Sequence, residues 1–272
     1  MKIPSYHAVS GTDVSDLAGQ VARQHQRVND RLQKIGKVVA VMSGKGGVGK
    51  SYIAAGVALA TAERGKNVGV LDADLAGPTT AQLLEARGPL LIDDDGVLPA
   101  AGLAGVKVFS TDLLLHDGAP LLWRGEASES FIYRGALANG AVREFLSDVV
   151  WGDLDLLVVD LPPGTERLQD LAQLVPDLGG VVAVTIPSEE SRRAVARSIQ
   201  AALDAGLQVL GVVENMSGYR CPGCETTSPL FPGNAGEYLA RQFGVPLLEQ
   251  VPFDPSPNPA VRLSVLSSVM LP

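Results

Sequence analysis

Eight residues constrain this chain more than any others. They are Gly44-Lys45-Gly46-Gly47-Val48-Gly49-Lys50-Ser51, set between an apolar run at 38–42 and an alanine-rich, helix-compatible stretch at 51–63. The spacing G-x-x-x-x-G-K-S between a strand and a helix is that of a phosphate-binding loop. Glycines are required because the backbone must curl until its N–H groups face phosphate oxygens, an approach that side chains would block. The cradle runs from Gly46 through Gly47, Val48 and Gly49 to Lys50, Ser51 and Tyr52. Lys50 supplies a point charge to the β- and γ-phosphates, and Ser51 offers a hydroxyl to Mg²⁺. The following helix directs its positive end at the same anion.

A strand–loop–helix unit of this kind demands an α/β context, and the rest of the chain supplies one. Apolar runs at 38–42, 68–71, 106–109, 156–159, 181–186, 209–213 and 247–251 alternate with helical stretches at 51–63, 130–146, 189–205 and 235–243. The runs lack polar alternation, as expected of strands covered on both faces. The prediction is a doubly wound, mostly parallel sheet flanked by helices on both faces, with ligands at the carboxyl ends of the strands. Residues 1–36 read as a helical lead-in, with Val14, Leu17, Val21, Val28, Leu32 and Ile35 at helical spacing and Gly36 as its stop. Residues 37–272 read as one ATPase domain.

Composition narrows the partners. A net charge of −8 argues against a broad nucleic-acid surface. No stretch is long and apolar enough to span a bilayer. The start, MKIPSYHAVSGTD, has no basic segment followed by an apolar one, so a cytoplasmic setting is expected.

Two strand ends carry carboxylates. Leu71-Asp72-Ala73-Asp74-Leu75-Ala76-Gly77-Pro78-Thr79 closes the second run, and Val158-Val159-Asp160-Leu161-Pro162-Pro163-Gly164-Thr165 closes the fourth. An aspartate delivered at the tip of a buried strand holds Mg²⁺ in phosphate-transferring enzymes, which assigns Asp160 to the metal beside Ser51. The Pro-Pro-Gly turn presents the Gly164 N–H, read as free to sense a γ-phosphate. Beyond the sixth run come Glu214-Asn215-Met216-Ser217-Gly218-Tyr219-Arg220-Cys221-Pro222-Gly223-Cys224. Cys221 and Cys224 are the only cysteines, and two thiols three apart suit metal binding or redox exchange. Arg220 beside them is expected to favour thiolate over thiol.

These motifs resemble the deviant-Walker ATPases, and within that group the Mrp/ApbC iron–sulfur carriers. The loop is G-K-G-G-x-G-K-S, the stretch from Asp72 to Thr79 matches D-x-D-x-x-G-P-T, and DLPPGT stands at 160–165. Trp123-Arg124-Gly125 and Trp151-Gly152-Asp153-Leu154-Asp155 also look like that family. The resemblance implies ATP as ligand, a nucleotide-sandwich homodimer, and Lys45 reaching across it to the partner's nucleotide. It implies that Asp74 orients the attacking water and that Asp72 helps fix the loop and the magnesium shell. Asn215 would read the adenine edge, with Pro252 and Asp254 lining the base pocket from the other side. Cys221 and Cys224 from two subunits would bridge one [4Fe–4S] cluster, carried to acceptor apoproteins.

The likeness departs in three places. Tyr52 stands where the family generally has threonine, Glu166-Arg167 replace its usual Gly-Asp, and the family's terminal helix is not visible after Asp254. The rival is a positioning switch like MinD or ParA, without a cluster. The apolar tail at 263–272 lacks the lysines that a membrane anchor wants, and a switch of that kind leaves the two cysteines unexplained.

Overall fold

The computed structural model describes residues 17–88, 90–114, 131–253 and 271. Asp254, the Trp123-Arg124-Gly125 run, His7, His116, Val14 and tail residues 263–270 lie outside the described residues.

Strands β1 (Val38–Ser43), β2 (Val68–Asp72), β6 (Lys107–Phe109), β7 (Leu156–Asp160), β8 (Val181–Thr185), β9 (Val209–Arg220) and β11 (Leu247–Phe253) form the body of one sheet. The short strands β5 (Ala100–Ala101) and β10 (Thr227–Ser228) close its two ends, and β3 (Leu91–Asp93) and β4 (Gly96–Leu98) make a separate hairpin. The order is β10-β9-β8-β1-β7-β2-β6-β5, with β11 also on β9. Pairing is parallel throughout, except that β10 and β5 are antiparallel. This is the doubly wound parallel sheet expected from the alternating runs.

Continuous apolar runs form these strands because each residue has a hydrophobic face to meet. Val39 and Val41 of β1 enter one core with Val158 of β7, while Val38, Ala40 and Met42 enter the other with Leu157 and Val159. The period of two is intact, but both faces are buried, so it does not show as polar alternation. The first core is roofed by helix α2 (Lys50–Ala62), whose alanines let it lie close to the sheet, with the short helix α3 (Thr80–Leu83) beside it; eight residues of α2 from Ile53 to Ala60 are buried. The second core is covered by α1 (Leu17–Leu32), α4 (Phe131–Asp148), α5 (Glu166–Leu174) and α6 (Glu189–Asp204), with α7 (Ala235–Phe243) beside β9 and β11.

Three boundaries differ from the expectation. Helix α1 ends at Leu32, and Gly36 lies beyond it, donating its N–H to Leu154 O at 2.8 Å. Helix α5 was not foreseen; it follows directly on the Pro-Pro-Gly turn and buries Leu168 and Leu171 over about two and a half turns. Strand β9 runs on to Arg220, seven residues past the apolar run, because β11 and β10 supply partners for its polar half.

Candidate nucleotide and thiol sites

The glycine-rich loop leaves β1 and turns into α2 at the carboxyl end of the sheet. Gly47 and Gly49 have φ of 77° and 79°, the left-handed region that side chains resist. At Gly49 a second constraint applies, since a Cβ there would meet Asn215 Nδ2 at 2.2 Å. The Ser43 hydroxyl donates to Lys45 O at 3.0 Å, tying the loop's start to the strand it leaves. The Lys45 side chain is partly exposed at the loop's rim.

Lys50 turns inward. Its Nζ lies 2.5 Å from Asp160 Oδ1 and 3.4 Å from Ser51 Oγ, bringing together three of the residues assigned to phosphate and magnesium. Asp160 is fully buried at the tip of β7, beside Asp72 at the tip of β2. Burial pushes the Asp160 carboxyl up to about 6, and the negative charge of Asp72 adds to that, against the opposing pull of Lys50. Its Oδ2 is buried without a hydrogen-bond partner among the described residues. A buried carboxylate oxygen with an open coordination position, next to a serine hydroxyl, fits a hard cation such as Mg²⁺.

Asp72 is occupied differently. Its carboxylate accepts from the backbone N–H groups of Asp74, Thr79 and Thr80 at 3.2, 3.0 and 3.1 Å. The Thr80 and Ser110 hydroxyls add bonds at 2.9 and 3.2 Å. Burial raises its carboxyl, while the bonds from Thr80 and Thr79 lower it. Both oxygens are thus committed to shaping the loop that carries Asp74, which itself stays partly exposed. Thr80 and Ser110 escaped the sequence reading, for no motif distinguishes a serine or threonine that serves a carboxylate nearby in space.

Asn215 lies against the loop: its Nδ2 donates to Val48 O at 2.9 Å, and the residue is buried. It is paired with Val251 of β11, so Pro252 follows immediately on the neighbouring strand. Glu214, one residue earlier, was also missed. It is buried, with Oε2 accepting from Gly236 N at 2.6 Å and Oε1 from Gln250 Nε2 at 2.9 Å, so it ties α7 and β11 to β9. Its only sequence signal was an acidic residue closing an apolar run. Tyr52 is half-buried against the core beneath α2.

Two expectations are corrected. The Gly164 N–H is engaged, donating to Ser43 O at 3.0 Å, because the turn after β7 folds back over the end of β1. Arg220 faces Glu225 at 3.6 Å, so its charge is paired with a carboxylate.

The cysteines sit where β9 leaves the sheet. Cys221 N donates to Thr226 O at 3.0 Å and Glu225 N to Cys221 O at 2.8 Å, closing a tight turn in which Glu225 has φ 56°. Both thiols are free, Cys224 exposed and Cys221 partly so. Hydrogen bonds from Thr226, and then from the Cys221 thiol, hold Cys224 below the usual thiol value. Among the described residues no group of three or more His, Cys, Asp and Glu side chains is placed to hold a metal ion. A single chain therefore offers the pair as two sulfurs, short of the four that zinc or a cluster takes from protein.

Residues 34–262 match the family model described as NUBPL iron-transfer P-loop NTPase, of the ParA group. The chain is 42% identical over 247 residues to the iron-sulfur cluster carrier protein of Saccharolobus solfataricus, covering 90% of this chain and 80% of that protein. It is 40% identical over 231 residues to the cytosolic Fe-S cluster assembly factor NUBP2 of Rattus norvegicus, covering 82% of each. Among solved structures it is similar to a nucleotide-binding protein from Archaeoglobus fulgidus in complex with ADP, at TM-score 0.70 and 35% identity, over 91% of this chain and 93% of that one.

Proposed function

As the chain belongs to the NUBPL family of iron-transfer P-loop NTPases, we propose that it is an ATP-dependent carrier of iron–sulfur clusters. The observation that carries this reading is the course of β9. One strand holds Asn215 against the nucleotide loop and, six residues on, delivers a free thiol pair.

ATP lies along the loop from Gly46 to Tyr52, its base between Asn215 on β9 and Pro252 on β11, with Asp254 assigned to the same base pocket. Ser51 and Asp160 would hold Mg²⁺, which would supply charge neutralisation for the phosphates. Lys50 leaves part of its bond with Asp160 to meet the same oxygens. Asp74, on the loop that Asp72 braces, orients the water whose oxygen bonds to the γ-phosphorus as the bridge to ADP breaks. The chain's contribution is positioning and electrostatics, in keeping with phosphoryl transfer generally. Lys45 completes the site of a second copy in a closed homodimer.

The cargo is a [4Fe–4S] cluster bridged by Cys221 and Cys224 of two chains and passed to acceptor apoproteins in the cytosol. A MinD- or ParA-like positioning switch is the weaker reading, because it gives the thiols no work. Among the described residues no helix is long and apolar enough to cross a membrane. Anaerobic reconstitution with iron and sulfide, followed by visible absorption, iron counting and ATP turnover on the same sample, tests the reading. A protein that hydrolyses ATP but takes up no iron would overturn the carrier function.

A further inference from the structure

Between its two functional ends, β9 carries one irregularity. Up to Asn215 it is paired residue for residue at Gln250 and Val251 of β11; then, from Val251 to Phe253, β11 advances by two while β9 advances by four, from Asn215 to Tyr219. Inside this bulge Met216 has φ 53°, a left-handed backbone that a residue with a long side chain rarely adopts. Past it the strand is regular again: Tyr219 and Arg220 pair with Ser228 and Thr227 of β10, and the Tyr219 ring stacks on Phe253 at 6.5 Å. The cysteine turn follows at once.

Such a backbone persists only where the surroundings over-determine it. Here two contacts do so. Asn215 is fastened to Val48 O, and the Met216 side chain packs against the core cluster that contains Val48 and Ile53, residues of the loop and of the helix it opens. A regular ladder moves as a unit, whereas a bulge re-aims the strand beyond it. Any ligand that draws on the loop therefore acts on β9 immediately before this bulge.

We propose that Met216 is a positioning residue that couples the nucleotide loop to the thiol pair, its bulge setting the placement of the Cys221–Cys224 turn according to whether the loop is occupied. The inference rests on the reading of the loop as a nucleotide site. It adds to that reading the route by which occupancy is felt at the cysteines. Coupling between two sites is reciprocal, so a ligand on the thiols shifts nucleotide affinity by the same factor.

The test is the rate of cysteine alkylation by iodoacetamide in the metal-free protein, with and without Mg²⁺ and a non-hydrolysable ATP analogue. Nucleotide binding is measured by calorimetry on the same samples. In the unaltered chain the two rates should differ by about fivefold or more, the lower end of ordinary coupling. Met216→Gly adopts the left-handed backbone freely and lacks the packed side chain; it should still bind nucleotide while the two rates converge. Met216→Leu keeps a side chain of similar size and should retain the difference. Equal rates in an unaltered chain that binds nucleotide overturn the coupling and leave the nucleotide reading intact. A preserved difference in Met216→Gly, or its loss in Met216→Leu, also overturns it. Loss of nucleotide binding in Met216→Gly makes Met216 a plain core residue and overturns it too. An unaltered chain that binds no nucleotide overturns both readings.

Discussion

Lys50 Nζ and Asp160 Oδ1 stand 2.5 Å apart at the head of the sheet, with both side chains almost wholly out of solvent. In the nucleotide-free chain Lys50 is the strongest charge acting on the buried Asp160 carboxyl, so removing either leaves the other buried without that partner. Lys50→Ala should abolish ATP binding, since it removes the inward-facing charge assigned to the β- and γ-phosphates. It should also destabilise the free protein by roughly 3–5 kcal/mol, the usual cost of breaking a buried pair, and toward the lower end because Asp160 can take up a proton. Denaturant titration of the single variants and of Lys50→Ala/Asp160→Asn checks this. The double variant should be more stable than additivity predicts. Additive losses would mean that the pair is not coupled.

Asp74 and Asp160 are both carboxylates at strand ends, yet the fold treats them differently. Asp74 is partly exposed on a loop held by Asp72, whereas Asp160 is buried with one oxygen lacking a partner among the described residues. Asp74→Asn should therefore bind Mg-ATP normally and turn it over slowly, because an amide keeps the shape but orients water less well. Asp160→Asn should shift the magnesium dependence of binding to higher concentration. Titrating magnesium against both variants separates the two roles. Matching curves would contradict the division.

Much of this was legible beforehand. Residues such as Val39, Val41, Val158 and Val182 lie in runs buried on both faces, so hydrophobicity alone marked the strands. The glycine pattern located the loop because Gly47 and Gly49 answer a local backbone need. What stayed hidden depends on neighbours distant in sequence. The polar half of β9 is a strand only because β11 and β10 pair with it. Helix α5 has two buried leucines and too few turns to show a period. The occupied Gly164 N–H and the paired Arg220 follow from where Ser43 and Glu225 happen to fold.

Acid should stabilise one corner of this molecule. Asp160 is raised from 3.8 to about 6 in the folded chain, chiefly by burial. The folded state thus holds more protons than the unfolded state between those values. The contribution to stability is fully present below about 3.8 and is lost as pH rises through about 6. Asp72, also raised by burial, acts with the same sign. In the nucleotide-free protein, Asp160→Asn should therefore flatten, without abolishing, the fall in stability as pH rises across this window. Denaturant midpoints collected at several pH values would show it. Identical slopes in variant and parent would rule out the raised carboxyl.

The last prediction concerns the thiol turn. Cys221 and Cys224 are free, solvent-accessible and held on one tight turn by the bonds among Cys221, Glu225 and Thr226. Two sulfurs are half of what a [4Fe–4S] cube takes from protein, so a cluster requires both turns of a symmetric dimer at its axis. Cys221→Ala and Cys224→Ala should each abolish iron uptake. Both should leave ATP binding intact, since the loop lies between β1 and α2, Lys50 opens α2 and Asp160 ends β7, all apart from the cysteine turn. Thr226→Val removes the hydroxyl that does most to hold Cys224 down. It should weaken the cluster without eliminating it, seen as faster loss of visible absorption to a chelator. Reconstituted protein should contain close to four irons per dimer by the stoichiometry of the cube. Stoichiometric zinc with no iron after anaerobic purification would instead indicate a structural four-cysteine site. A monomer that retains a full cluster would refute the bridging arrangement outright.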